Sequence, residues 1–247
     1  VKKAATVTDN HQALFDYVFA ELKPFRKLLV KLCRVASEIH RQGWAEANAG
    51  NVSIRLGSML KPYLEEAGFQ TSFPCSEWYL VSRSGSRYRE LAIHPKQALM
   101  LIGTGETEYH FPLHAKPTSE WLCHRLIHEN NAGGDLSCLL HTHPTEVIAL
   151  SSTYLYENHE LLNKSLFDLL PELEIFLPGG IATAPYAQAG SPILAEISCN
   201  RIEDKHVLIW ERHGLIVLAE NPDKALDLTE VVNKAAKLFF LLSQQRQ

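Results

Sequence analysis

The sequence predicts an α/β protein of three αβα layers, in which a mainly antiparallel central sheet is flanked by helices in a single domain over residues 1–247. Three observations carry this. Long amphipathic helical patterns bracket a set of short apolar runs; several of those runs follow one another through turns too short for a crossover, which dictates antiparallel pairing. No composition shift, repeat or low-complexity segment divides the chain.

In chain order, Phe25, Leu28, Leu29, Leu32, Val35, Ala36 and Ile39 recur at helical spacing, with Pro24 at the entrance and Gly43 beyond the exit, so this stretch is a helix. "NVSIRL" (51–56) reads as a strand, and "GSMLKPYLEEAGFQTSFPCSE", with Gly57, Pro62, Gly68 and Pro74, as an irregular excursion. "WYLVS" (78–82) is the next strand. "HPKQALMLI" looks like a short helix, "GTGETEYHF" like a turn leading into a short strand, and "PTSEWLCHRLIHEN" like a helix whose start is marked by Pro117, Thr118 and Ser119. "LSCLLHTH" is a buried strand, being short, apolar and bounded by "AGGD" and Pro144. "HVLIWERHGLIVLAE" is two strands around a turn at Arg212, His213 and Gly214, and "NPDKALDLTEVVNKAAKLFFLLSQQ" is a long helix capped by Asn221 with Pro222 at its first position.

Bulk properties exclude several function classes. A formal net charge of -4 with 21% charged residues gives no general attraction to nucleic acid or to an anionic membrane. The five cysteines are odd in number and form no C-x-x-C pair, so a reducing cytoplasm is expected rather than a disulfide framework. The first ten residues are too poor in apolar side chains for a signal-peptide core, and no window approaches a membrane span.

Chemistry concentrates at "HTHP". Residues two apart on a strand share a face, so His141 and His143 can present two imidazoles to one ion while Thr142 points away. His213, at a turn that Gly214 lets reverse, can supply a third nitrogen, and three nitrogens leave an open position as in catalytic zinc sites. A His-x-His pair also arises by chance in a chain with twelve histidines. His124 and His128, four apart on a helix but without the glutamate of a metalloprotease motif, read as a partly solvated helix face. His94, His110, His114 and His159 have no partner at ligand spacing. Three small-residue loops, "NAGNVS", "SRSGS" and "PTSE", could each offer N–H groups or hydroxyls to an anion, although each is also an ordinary turn or cap. Glu120 either complements the dipole of its helix or transfers a proton beside the ion.

Together "NAGNVS", "SRSG", "PTSEW", "HTHP" and "ERHG" resemble, in order and spacing, the class II aldolase/adducin family, from about Gly43 to the C-terminal helix. The resemblance implies that His141, His143 and His213 ligate one Zn2+ per subunit, with Glu120 as the carboxylate beside it. It places a substrate phosphate on Asn51, Ser84, Gly85, Thr118 and Ser119, and a substrate contact on Asn48. "LLPELEIFLPGG" resembles the stretch with which some members deliver a second catalytic glutamate, here Glu172, with Glu174 close by, into a neighbouring subunit. The implied assembly is a homotetramer with sites at subunit interfaces. The implied reaction is reversible cleavage of a ketose 1-phosphate, L-rhamnulose 1-phosphate first, to dihydroxyacetone phosphate and L-lactaldehyde.

The chain carries Ala49-Gly50 where Gly-Gly is typical of that branch, nearer the fuculose pattern, and Ser86 where lysine is common. L-Fuculose-phosphate cleavage is the nearest alternative. Pentulose-phosphate 4-epimerases usually carry aspartate at the Glu120 position, and methylthioribulose-phosphate dehydratases lack the "PTSE" glutamate in register. A metallo-β-lactamase-type hydrolase would continue to an Asp-His pair that "HTHPTE" lacks. Adducin-type modules have lost metal ligands that are all present here.

Overall fold

The computed structural model describes residues 7–131 and 137–243. One sheet contains β1 (Asn51–Arg55), β2 (Glu77–Ser82), β3 (Leu99–Thr104), β4 (Glu108–Phe111), β5 (Cys138–Thr142), β6 (Ile181–Ala184), β7 (Val207–Trp210) and β8 (Gly214–Ala219). Their order is β4-β3-β2-β1-β5-β8-β7-β6, and every neighbouring pair is antiparallel except β6 with β7.

Alternation along the strands sorts side chains into two cores. Cys138 and Leu140 of β5, with Leu215 and Val217 of β8, enter one core; Leu139, Ile216 and Leu218 enter the other. The first core is closed by the helices Val7–Glu21, Lys23–Arg41 and Pro222–Ser243, through Phe15, Leu32 and Val232 among others. The second is closed by the helices Trp121–Asn130 and Pro192–Ile202, through Ile127 and Leu194. A sheet covered on both faces explains why "CLLHT" is apolar without alternation. The three-layer, mainly antiparallel expectation holds, and the described residues contain no helix long and apolar enough to cross a membrane.

The helix Lys23–Arg41 buries Phe25, Leu29, Leu32, Val35, Ala36 and Ile39 and carries proline in its first turn. The helix Pro222–Ser243 is capped as expected: Lys224 N–H donates to Asn221 Oδ1 at 3.2 Å. Elsewhere the structure corrects the sequence reading. Residues 57–77 are not irregular but contain the helix Gly57–Glu66, with Pro62 inside it, and the short helix Phe69–Ser72. Leu60 and Leu64 are fully buried there, at about 1.5–3 kcal/mol each, which offsets the roughly 3 kcal/mol that an internal proline costs. "HPKQALMLI" is helical only over Pro95–Ala98. From Leu99 the period becomes two, with Leu99 and Leu101 entering the first core and Met100 and Ile102 a separate small cluster with Tyr79, Val81 and Trp121.

His124 and His128 are not a solvated face either. Both are fully buried, and Ser53 Oγ lies 2.8 Å from His124 Nδ1 and 2.8 Å from His128 Nε2. The face of their helix that starts at Glu120 packs on β1, so the imidazoles find a serine instead of water. The helices Val7–Glu21, His159–Leu169 and Pro192–Ile202 and the strand β6 had no counterpart in the sequence reading. The "AGGD" boundary lies outside the described residues.

Candidate active site

The register of β1, β5 and β8 builds the site. Asn51 pairs with His141 across β1 and β5, and Ser53 with Leu139; directly opposed residues share a face, so Asn51, Ser53 and His141 all point toward the helix Trp121–Asn130. Glu120 stands at the N-cap position of that helix, one residue ahead of its first turn. His213 lies in the β7–β8 turn, where Arg212 takes φ 54° and its N–H donates to Ser151 Oγ at 2.7 Å. Trp210 stacks on His213 with centroids 4.9 Å apart.

These placements bring His141, His143 and His213 together, with one nitrogen from each within 4.8 Å of the others. Tautomers follow from the outer partners. His141 Nδ1 lies 2.9 Å from the carbonyl oxygen of Leu215, and His143 Nδ1 lies 3.0 Å from Glu46 Oε1. Both partners are acceptors, so each Nδ1 carries the ring proton and each Nε2 a lone pair. The two Nε2 atoms then face one another at 3.0 Å, an arrangement that repels unless a cation lies between them. Glu120 adds negative charge at the same point: its Oε2 is 3.6 Å from His141 Nε2 and its Oε1 3.4 Å from His213 Nε2. Three nitrogens and a carboxylate converging in this way fit a divalent metal ion.

Electrostatics agree with ligand duty. Burial, then the neighbouring His143 and His213, hold His141 well below the ordinary imidazole range. Burial and then His143 lower His213 to about 4. Both rings are therefore neutral, as metal binding requires. Burial raises the Glu120 carboxyl above its ordinary range, opposed by the hydrogen bond from Asn51 and by His143.

Beside the histidines lies a pocket lined by Asn48, Asn51, Ser84, Gly85, Thr118, Ser119 and Glu120 as well as the three rings. The three small-residue loops thus meet. Ser84 N–H donates to Lys116 O, and Thr118 N–H to Ser82 O, at 2.8 and 2.9 Å, which zips "SRSG" to "PTSE". Gly50 takes φ 72°, and a Cβ there would stand 2.8 Å from His141 O. Arg83 reaches the pocket lining, but its Nε and Nη2 donate to the carbonyls of Leu99 and Lys96. Glu172 and the neighbouring Glu174, named for the second catalytic carboxylate, are absent from this pocket; both are exposed at the short helix Leu173–Phe176.

Two residues of the site carried no sequence signal. Tyr88 is buried behind Gly50, its hydroxyl donating to Asn51 O at 2.6 Å and lying 3.1 Å from His141 O. Glu46, two residues before Asn48, is the other.

A solved sugar-phosphate aldolase from Thermotoga maritima superposes with a TM-score of 0.76, at 25% identity over 90% of this chain and 97% of that one. L-Fuculose-1-phosphate aldolase from Thermus thermophilus shares the fold, with a TM-score of 0.64 at 16% identity over 90% of this chain and 96% of that one. Fold and histidine cluster together define an aldolase-type lyase with a site able to hold a metal ion. The chain belongs to the class II aldolase and adducin N-terminal domain family, whose profile matches residues 30–240, and stands on its metal-dependent aldolase side. Rhamnulose-1-phosphate aldolase from Listeria welshimeri is 30% identical to it over 238 residues, covering 89% of this chain and 84% of that protein. The rhamnulose-1-phosphate aldolase of Bacteroides thetaiotaomicron is 25% identical over 224 residues, covering 85% and 83%.

Proposed function

We propose that this chain reversibly cleaves a ketose 1-phosphate, L-rhamnulose 1-phosphate in the first instance, to dihydroxyacetone phosphate and L-lactaldehyde. The observation that carries this is the meeting, in one pocket, of three small-residue loops with a three-histidine cluster and a buried carboxylate. The names of the relatives support the choice of sugar.

In this reading the hydroxyls of Ser84, Thr118 and Ser119, the Asn51 amide and the backbone at Gly85 hold the phosphate, and Asn48 contacts the sugar. Arg83 also lines the pocket, with its Nε and Nη2 donating to the carbonyls of Leu99 and Lys96. Phosphate binding is remote from the breaking bond and orients the ketose on the histidine cluster. His141, His143 and His213 hold one zinc ion per subunit, which when bound supplies Lewis acidity at the substrate carbonyl oxygen.

Two carboxyl groups move protons as the C3–C4 bond breaks: one takes the C4 hydroxyl proton and the other returns a proton to C3. Glu120, against the histidines and with a raised pKa, is suited to C3. Glu172, exposed on its own chain, is assigned to C4 in a neighbouring subunit of a homotetramer. The five free thiols suit a reducing cytoplasm.

The test is to incubate zinc-loaded protein with L-rhamnulose, L-fuculose and L-ribulose 1-phosphates and to assay dihydroxyacetone phosphate. Fastest release from L-rhamnulose 1-phosphate is expected. Faster release from another ketose would move the substrate, and release from none would sink the aldolase reading.

A further inference from the structure

The proposed reaction leaves unused one carboxylate that touches the cluster from outside. Glu46 sits in the loop joining the helix Lys23–Arg41 to β1, and its Oε1 lies 3.0 Å from His143 Nδ1. That loop is tied to the ligand segment: His143 N–H donates to Trp44 O at 2.7 Å, and Ala49 N–H donates to Glu46 O at 2.8 Å. Between them Ala47 adopts φ 47°, a left-handed conformation that a non-glycine residue keeps only where neighbours impose it.

The two histidines of "HTH" are oriented by different means. His141 donates from Nδ1 to the Leu215 carbonyl inside the sheet, a partner that no side-chain substitution removes. His143 Nδ1 instead meets a side chain on a loop. Without an acceptor there, the ring could rotate or place its proton on Nε2, the atom that faces His141 Nε2 at 3.0 Å.

We propose that Glu46 is a positioning residue for the metal: it fixes the ring angle and tautomer of His143, so that Nε2 presents its lone pair to an ion shared with His141 and His213. This rests on the metal reading of the histidine cluster. Carboxylate partners of this kind orient ligating histidines and raise their basicity. Because Asn48, which lines the substrate pocket, follows two residues later, ordering of the substrate loop is linked to metal affinity through Glu46.

The experiment strips the protein of metal and measures zinc affinity by competition with a chromophoric chelator, for wild type, Glu46→Gln and Glu46→Ala. Melting of each metal-free protein is followed alongside. Glu46→Ala is expected to weaken zinc binding roughly 10- to 100-fold with unchanged melting. Glu46→Gln, whose amide oxygen still accepts from Nδ1–H, is expected to lose less. Wild-type affinity in Glu46→Ala overturns the proposal, as does a loss matched by lower melting of the metal-free protein. Absence of zinc binding by wild type would remove the metal reading itself, and this proposal with it.

Discussion

Asn51 Nδ2 donates to Glu120 Oε2 at 2.7 Å, so the residue that opens β1 steadies the carboxylate facing the histidines. Burial raises the Glu120 pKa and this bond opposes the rise. Hydrogen bonds to a buried charged group contribute about 1.5–3 kcal/mol. Asn51→Ala is therefore expected to lower kcat about 10- to 100-fold through Glu120, beside the rise in KM that follows from the phosphate contact assigned to Asn51. Steady-state kinetics on the phosphorylated ketose check this, and an unchanged kcat would show that Glu120 needs no such partner.

Gly214 follows His213 directly, and a Cβ on it would stand 2.4 Å from Thr142 O, 2.9 Å from His143 Cδ2 and 3.1 Å from His141 Cε1. The constraint is space beside two histidine rings of the cluster. Gly214→Ala is expected to cost about 1–3 kcal/mol of stability through overpacking and to weaken metal retention. Urea unfolding and metal content after dialysis read the two effects, and a variant matching wild type in both would contradict the packing.

Ser84 is exposed at the pocket edge. Ser84→Ala should remove one hydrogen bond to the substrate phosphate, about 1 kcal/mol, raising KM about five-fold and weakening inhibition by inorganic phosphate in parallel. Unchanged phosphate inhibition would place the phosphate elsewhere.

The buried pair under the site has a pH signature. Burial lowers His124 to about 3 and His128 well below the ordinary imidazole value, whereas both titrate near 6.5 in an unfolded chain. Below about pH 6.5 the unfolded chain binds protons that the folded one refuses. The stability is fully present above that pH and is lost as pH falls toward the folded values, by about 1.4 kcal/mol per unit for each ring. Urea unfolding of metal-free protein at two pH values, one near neutrality and one below 6.5, should show wild type losing more stability than His128→Gln. Equal losses would contradict the buried neutral pair.

Local pattern made part of the histidine cluster legible, whereas the phosphate roles of Asn51, Ser84, Gly85, Thr118 and Ser119 came with the family resemblance of the five motifs. The period of two predicted His141 and His143 on one face, and a reversing turn at Gly214 could aim His213 inward; in the structure β5 ends at Thr142, and His143 follows it with its N–H donating to Trp44 O at 2.7 Å. The helix Lys23–Arg41 was legible from its apolar stripe and its Pro24 and Gly43 punctuation. What stayed hidden depends on distant partners. The burial of His124 and His128 is decided by Ser53, 71 and 75 residues away, and the part played by Glu46 by His143, 97 residues on. "ALMLI" was ambiguous for another reason, since a short apolar run fits a buried strand or a buried helix equally well. The helix Val7–Glu21 did carry a stripe, with Leu14, Phe15 and Val18 buried, which the sequence reading passed over.

In the proposed reaction a metal held by His141, His143 and His213 is required for cleavage of a ketose 1-phosphate. The most direct measurement assays dihydroxyacetone phosphate released from L-rhamnulose 1-phosphate by zinc-loaded wild type, by the same protein after chelation, and by His143→Ala, with bound zinc determined in each. Release by the loaded wild type alone, with loss of bound zinc in His143→Ala, is expected. Undiminished release after chelation, or a His143→Ala variant that keeps both zinc and full turnover, would contradict it.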